Sequence, residues 1–496
     1  MENFPILSLI ICMPFMSAIF IGSLVKQSMN PAKILYAKYV AILASFLTLV
    51  SSISLFFSFE LAGGYQFQEH YRLLQIIGLE IELAVDGISI FFILLTSILT
   101  VLCIIISLGS INKNIKEFLV ALLLLESFVI ATFSANNLLL FYICFEATLM
   151  PIYIIIGTWG SEDRVYSAFK IFIYTFFGSA LFMIDIIYLY KTFSTLSIPL
   201  LIQVAPSLSF HEQCFLWILG FLAFGIKVPI LPFHTWLPDA HVQAPTAGSV
   251  MLAGILLKIG AYGFIRVLVP MFPEASIYFS NFVIYLSSIA VIYGSYVAIS
   301  QTNIKKMIAY SSIAHMGYVT GGIFSITHEG LSGALFQMIS HGIISSGLFL
   351  VIGALYERMH TKEIAHFGGL AKTCPLLSVF MMIFTLGAVG VPGTSGFVGE
   401  LYSLVGIYHR SFLCMTLAAS GMILGAIYML RLYRSVMLGE IHNQEIYKCQ
   451  DLTFAEIFAI APLVIAVVLF GVFPGVITMF YDNDVIIMLT KIGYSK

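Results

Sequence analysis

The sequence predicts an all-α polytopic membrane protein, and three observations carry that reading. Only 10% of its 496 residues are charged while 60% are hydrophobic; apolar runs long enough to cross a bilayer recur from end to end; and two of those runs are broken by proline and glycine beside ionisable residues. A soluble domain carries about 25% charged residues, so the composition and the mean hydropathy of +1.01 exclude that class. Backbone groups in hydrocarbon must bond within their own segment, so such runs are read as helices.

A helix needs about 20 apolar residues to cross about 30 Å of hydrocarbon. Runs of this kind lie near residues 4–24, 36–59, 85–109, 117–135, 137–158, 167–190, 213–231, 247–269, 276–299, 304–325 and 330–355. They continue at 375–390 with 394–408, at 411–433 and at 455–479, giving about fourteen transmembrane helices. The first run follows MENFP, with no basic segment before it and no small-residue cleavage site, so a cleaved signal is not expected. The seven cysteines form no CxxC pair or His/Cys cluster, and no metal site is implied.

Basic residues set the orientation, because short loops on the cytoplasmic or matrix side carry the Lys/Arg excess. Of the 23, fifteen fall at one set of connections (Lys26, Lys33, Lys38, Lys113, Lys116, Arg164, Lys170, Lys305, Lys306, Arg358, Lys362, Lys372, Arg431, Arg434 and Lys448). Five lie opposite (Arg72, Lys191, Arg410, Lys491 and Lys496), and Lys227, Lys258 and Arg266 are within spans. Both termini are therefore expected to face away from the cytoplasm or matrix. A net charge of −2 gives no reason to expect a nucleic-acid partner.

The two broken spans correspond. Val228-Pro229 in the seventh parallels Val391-Pro392 in the twelfth, and FKIFIYTFFGSALF at 169–182 aligns without a gap with FQMISHGIISSGLF at 336–349. Five spans per copy is an odd number, so the second copy enters the membrane upside down, an inverted repeat. The expected organisation is three N-terminal helices over residues 1–112, a first repeat (helices 4–8) over 113–270, a second, inverted repeat (helices 9–13) over 275–436, and a C-terminal helix over 450–496.

A charged side chain at mid-membrane costs about 2.5–3.5 kcal/mol, so such residues pair, face protein or line a wet path. Glu146 lies mid-span, five residues before Pro151, and reads as a proton-carrying or lysine-modulating acid. Lys227 immediately precedes Val228-Pro229, where the helix opens; a carboxylate that approaches and withdraws would make it take up and release a proton. Lys258, deep in MLAGILLKIGAYGF with Tyr262 one turn on, reads as the next relay point. His315 follows Ser311 and Ser312, and His341 has Gln337 and Ser345 one turn to either side; neutral histidines on such stripes can pass protons to water. Glu400 closes the glycine-rich GAVGVPGTSGFVGE and reads as the exit counterpart of Lys227. The bland alternatives are a structural hydrogen bond for Glu146 and the histidines, snorkelling to an interface for Lys227 and an interfacial, helix-capping acid for Glu400; for Glu126 and Asp185 a structural role is preferred. Arg266 reads as an interfacial anchor, and Asp86 as a helix-capping acid at the start of a span.

These segments resemble the antiporter-like proton-channel subunits of respiratory complex I, the NADH:quinone oxidoreductase. LAVDGIS at 83–89, FEATLMPIYIIIGTWG at 145–160, GIKVPILPFHTWLPDAHVQAPTAGSVMLAGILLKIGAYG at 225–263, KKMIAYSSIAHMG at 305–317 and GVPGTSGFVGE at 390–400 carry the resemblance, which covers nearly the whole chain. It implies fourteen helices with discontinuous helices 7 and 12. It also implies Glu146 as the acid beside Lys227, Lys227 as the channel lysine, Lys258 as the connecting lysine, Glu400 as the terminal proton site, and His315 and His341 on the polar axis between them.

By the same resemblance this chain holds no cofactor of its own; NADH, FMN, iron–sulfur clusters and quinone belong to the rest of the complex. Its partners would be sister antiporter-like chains, those called L and N in bacteria, on either side, together with the lipid bilayer. The expected location is a bacterial inner membrane or, alternatively, the mitochondrial one. The competing readings are a subunit of a multisubunit cation/proton antiporter and, from another class, a structural scaffold with a degenerate channel. The scaffold reading is disfavoured because Glu146, Lys227, Lys258 and Glu400 are all present.

Overall fold

A computed structural model of the chain describes residues 4–23, 31–74 and 79–493. Of the basic residues counted for orientation, Lys26 and Lys496 lie outside the described residues. The helices are α1 (Ile6–Ser23), α2 (Pro31–Phe57), α3 (Ile90–Ser110), α4 (Ile115–Ser134), α5 (Leu138–Ala147), α6 (Leu149–Trp159) and α7 (Arg164–Phe193), followed by a short α8 (Ile198–Val204), α9 (Phe210–Lys227) and α10 (Trp236–Gln243). Then come α11 (Thr246–Met251), α12 (Leu257–Gly263) and α13 (Val269–Met271), joined into one membrane helix by the π-helical turns Leu252–Leu256 and Phe264–Leu268. The chain continues through α14 (Pro273–Ile299), α15 (Ile304–Phe324), α16 (His328–Met359), α17 (Pro375–Val389), α18 (Ser395–Arg410), α19 (Phe412–Met437), α20 (Phe454–Val472) and α21 (Gly475–Lys491).

Eleven helical stretches among the described residues are long and apolar enough to cross a bilayer. The α9 and α15 helices and the α17/α18 pair lie over the other apolar runs of the sequence. Exposed faces are apolar as lipid requires: Phe169, Ile173, Phe176 and Phe177 of α7 all point outward. The chain divides into two compact units, one of residues 1–228, 255–279 and 479–496 and one of residues 229–254 and 280–478.

Local chemistry explains the breaks. Pro229 and Pro232 follow Lys227 and remove backbone donors, so α9 stops at the lysine and turns connect it to α10. Between α17 and α18, Gly390 and Gly393 have φ of +75° and +89°, left-handed conformations that favour glycine. The fifth span, expected to be continuous, is also jointed: α5 ends at Ala147, α6 starts at Leu149, and Thr148 lies between. Pro151 has no N–H for the Ala147 carbonyl one turn back, which weakens the helix there.

Two further departures concern the ends of the first unit. Residues 66–85, read only as a connection, form an antiparallel hairpin of β1 (Gln66–Leu74) and β2 (Leu79–Val85), pairing Glu69 with Leu83, His70 with Glu82 and Tyr71 with Ile81. Alternation of polar and apolar residues in LEIELAV supports a strand once a partner is near. Glu69 of β1 accepts the N–H groups of Leu7 (2.8 Å) and Ser8 (3.0 Å), supplying the acid that the first turn of α1 lacks. At the other end, the span expected over 455–479 gives way at Phe473-Pro474, and α21 follows α20 as a separate helix.

Close helix packing depends on small residues. A Cβ on Gly396 would lie 2.0 Å from the Gly387 carbonyl oxygen, so α18 starts hard against the end of α17. Gly396→Ala is therefore expected to destabilise the protein by about 1–3 kcal/mol, as overpacking does. Thermal unfolding of the detergent-solubilised protein checks this, with a midpoint unchanged from wild type as the contrary result.

Candidate functional site

In the first unit, the α5–α6 joint creates a place for an ammonium group. Lys227, the last residue of α9, is buried, and its Nζ donates to the Phe145 carbonyl (3.3 Å) and to Thr148 Oγ1 (3.2 Å). Thr148 Oγ1 itself donates to the same carbonyl at 2.8 Å. The Nζ also lies 4.1 Å from the centroid of the Phe145 ring, whose negative face attracts a cation. Glu146 sits one residue before the end of α5; its carboxylate reaches the Ser179 hydroxyl and interacts with Lys227 electrostatically. Lys227 bonds to the opened backbone and to Thr148, and Glu146 stays close without forming an ion pair with it.

Lys258 is fully buried on α12, between the two π-turns, a type of helix irregularity that recurs at functional sites. Its helix lies against α9 because Gly260 has no side chain. A Cβ there would meet the Phe224 carbonyl at 2.8 Å and the Lys227 Cβ at 3.0 Å. One turn beyond Lys258, the Tyr262 hydroxyl donates to the Phe133 carbonyl (3.2 Å) and accepts from Arg266 Nε (3.1 Å).

Arg266 is not an interfacial anchor. Its side chain is 11% exposed, and Nη2 lies 2.5 Å from Oδ2 of Asp86, which is 4% exposed. The reading of Asp86 as a capping acid is incomplete for the same reason: Oδ1 accepts the Ser89 N–H at 3.1 Å before α3, while Oδ2 holds the guanidinium. The partners are 180 residues apart in the chain, which hides the pair from local sequence inspection.

In the second unit, the break before α18 brings Glu400 to the middle of a polar cluster. Its Oε1 lies 2.8 Å from His315 Nδ1 on α15 and 3.4 Å from Gln337 Nε2 on α16. The His315 and His341 rings are 5.6 Å apart between centroids. A small cavity lined by His315, His341, Ser311, Gln337 and Ser345 has about 10 Å³ of space for a water molecule's centre, room for one water. Ser340 Oγ bonds Ser395 Oγ at 2.8 Å and fixes the start of α18 on α16.

Lys305 was counted with the loop residues, yet it is buried: Nζ donates to the Ala244 carbonyl at 2.7 Å, and Lys362 Nζ donates to Val242 at 2.8 Å. Two cations thus cap the C-terminal end of α10, where its dipole is negative. Only the burial of the first of two adjacent lysines separates it from Lys306, and the sequence carries no signal for that. Glu126 and Asp185, expected to be structural, are both buried with carboxyls that have no hydrogen-bond partner among the described protein atoms.

Helical spans opened beside buried lysine, glutamate and histidine define an antiporter-like membrane subunit. A family model described as "NADH:quinone oxidoreductase/Mrp antiporter, TM" matches residues 135–427. The chain belongs to that family. It is 54% identical over 492 residues to the NADH-quinone oxidoreductase subunit M of Rickettsia bellii, covering 99% of this chain and 100% of the relative. It is 43% identical to the NADH-ubiquinone oxidoreductase chain 4 of Arabidopsis thaliana over 92% of each chain. Among solved structures, a chain of respiratory complex I from Thermus thermophilus with bound NADH superposes with a TM-score of 0.90 at 27% identity, covering 98% of this chain and 100% of its own. A chain of the Mrp complex from Dietzia shares the fold, with a TM-score of 0.84 at 18% identity over 99% of this chain and 100% of its own.

Removing one partner of a buried ion pair leaves an uncompensated charge at a cost of about 3–5 kcal/mol. Asp86→Ala is therefore expected to lower the yield of folded protein sharply, while the apolar pair Asp86→Leu with Arg266→Met recovers much of it. Thermal unfolding and native-gel yield distinguish these outcomes. Equal loss in the single and double variants would contradict the pairing.

Proposed function

We propose that this chain is a membrane-arm subunit of an NADH:quinone oxidoreductase and that it translocates protons through Glu146, Lys227, Lys258, His315, His341 and Glu400. The single observation that carries this reading is the Lys227 ammonium, buried at an opened helix and held, among the described residues, by a carbonyl, a hydroxyl and a ring face, with a carboxylate close by. Those neutral contacts hold the charged form without locking it, so movement of Glu146 changes how strongly the amine keeps its proton.

In this reading Lys227 loads a proton, Lys258 receives it, and the histidines with Glu400 form a second carrying site, with the intervening water supplied by cavities such as that beside His341. Two inverted repeats, over 113–270 and 275–436, supply one broken helix each. The subunit acts as a non-redox translocase: oxidation of NADH by FMN and iron–sulfur clusters and reduction of quinone take place in other subunits. Its neighbours are sister antiporter-like chains equivalent to L and N, in a bacterial inner membrane or its mitochondrial counterpart. The names of relatives 43–54% identical support this reading over a multisubunit cation/proton antiporter, whose similarity at 18% identity shows fold alone.

The test is NADH-driven proton uptake by membrane vesicles carrying Lys227→Ala, with assembly verified on a native gel. The expected result is an assembled complex whose uptake falls to the level seen with uncoupler. Unchanged uptake would overturn the assignment, and sodium-driven exchange without NADH would support the antiporter reading instead.

A further inference from the structure

Arg266 is the centre of a second polar cluster in the first unit. Its guanidinium donates to Asp86 Oδ2 (2.5 Å), Tyr65 Oη (3.2 Å) and Tyr262 Oη (3.1 Å). Asp484 of α21 closes the cluster: Oδ1 accepts the Gly64 N–H at 2.6 Å and Oδ2 the Gly87 N–H at 2.8 Å. Asp86, Arg266, Tyr65 and Asp484 together line a cavity of about 100 Å³, room for several waters. The cavity is lined by Gly64 and Tyr65, in the stretch that leads into β1.

The charge balance of this pocket is incomplete. Asp86 is paired with Arg266, while Asp484 is held by two backbone N–H groups and makes no ion pair among the described residues. Lys491, also on the cavity wall, is exposed, and water screens it. A buried carboxylate next to a second carboxylate is the natural place for a proton to settle. The cluster is also tied to the relay: Arg266 binds Tyr262, which lies one turn from Lys258 on the same helix.

We propose that Asp484, with Asp86 and Arg266, forms a proton-release site through which protons from the Lys258 helix reach the water on the hairpin side of the membrane. This rests on the proton-translocation reading above. Only protons move: an N–H bond breaks as the Lys258 ammonium becomes an amine and passes its proton to water, and an O–H bond forms on Asp484 as it takes a proton from water in the cavity and later returns it to water on the outer side. Arg266 and Tyr262 are positioning residues that hold Asp86 and the pocket wall. Burial, and after it the neighbouring Asp86 carboxylate, pushes the Asp484 carboxyl up to about 6, against the opposing pull of the Gly64 and Gly87 N–H groups and Arg266. The group is therefore able to exchange protons near neutral pH.

The test uses the intact complex in liposomes, with the rate of NADH-driven pumping followed as the pH on the hairpin side is swept through about 6. Release requires Asp484 to lose its proton, so the wild-type rate is expected to fall as pH drops through that value. Asp484→Asn is expected to abolish the inflection and lower the rate, and Asp484→Glu to retain an inflection displaced in pH. A wild-type profile without the inflection overturns the proposal, as does an assembled Asp484→Asn complex with the wild-type rate and profile. If Asp484→Asn fails to assemble, Asp484→Glu decides: a displaced inflection supports the site, an undisplaced one overturns it. Lys227→Ala is run in parallel. Lost pumping there with a normal Asp484→Asn complex sinks this proposal alone, whereas normal pumping in Lys227→Ala sinks the translocation reading itself.

Discussion

The bond from the Lys227 ammonium to the Phe145 carbonyl is the contact on which the rest of the first unit depends. A charge in hydrocarbon must be met by protein, and a lysine side chain must be brought within reach of acceptors to be met. The chain solves both problems together. The joint at Thr148 exposes an acceptor, the stop of α9 at Val228-Pro229 brings the lysine to it, and Gly260 lets the Lys258 helix pack against that stop. The jointed helix and the buried lysine meet at one carbonyl, which accepts from Thr148 Oγ1 and from the Lys227 ammonium together.

The second unit solves the same problem with different groups. The left-handed glycines at 390 and 393 end α17 and restart the chain as α18, and Glu400, two turns in, meets His315 and Gln337. A carboxyl group bonded to an imidazole here lies beside a water-sized cavity lined by both histidines. Arg266 with Asp86 shows the contrasting case, since a direct ion pair locks both charges and suits positioning more than exchange. Asp484 in the same pocket makes no ion pair among the described residues and is held by backbone N–H groups instead.

Much of this was legible in the sequence because the bilayer enforces a simple grammar. Long apolar runs marked the helices, prolines and glycines marked the two major breaks, and the rarity of charge inside spans singled out Lys227, Lys258, Glu146 and Glu400. What was not legible depends on contacts distant in sequence. Arg266 near a span end looks like an anchor until Asp86 is folded against it, and Lys305 looks like its loop neighbour Lys306 until α10 places a carbonyl above it. The hairpin was hidden for a related reason, because seven alternating residues make a strand only when a second strand lies alongside. The Thr148 joint was half visible: Pro151 showed which carbonyl loses its donor, but not that Thr148 and Lys227 would meet at the Phe145 carbonyl.

The central claim is that the buried ionisable residues carry protons and are not there for stability, and Lys258 tests it most directly. Lys258→Met removes the ammonium while keeping a side chain of similar length, so proton movement and folding can be read separately on the same variant. The measurement is the number of protons moved per NADH oxidised by the reconstituted complex, alongside its thermal unfolding. The account predicts an assembled complex that moves fewer protons per NADH; a wild-type ratio in that complex would contradict it.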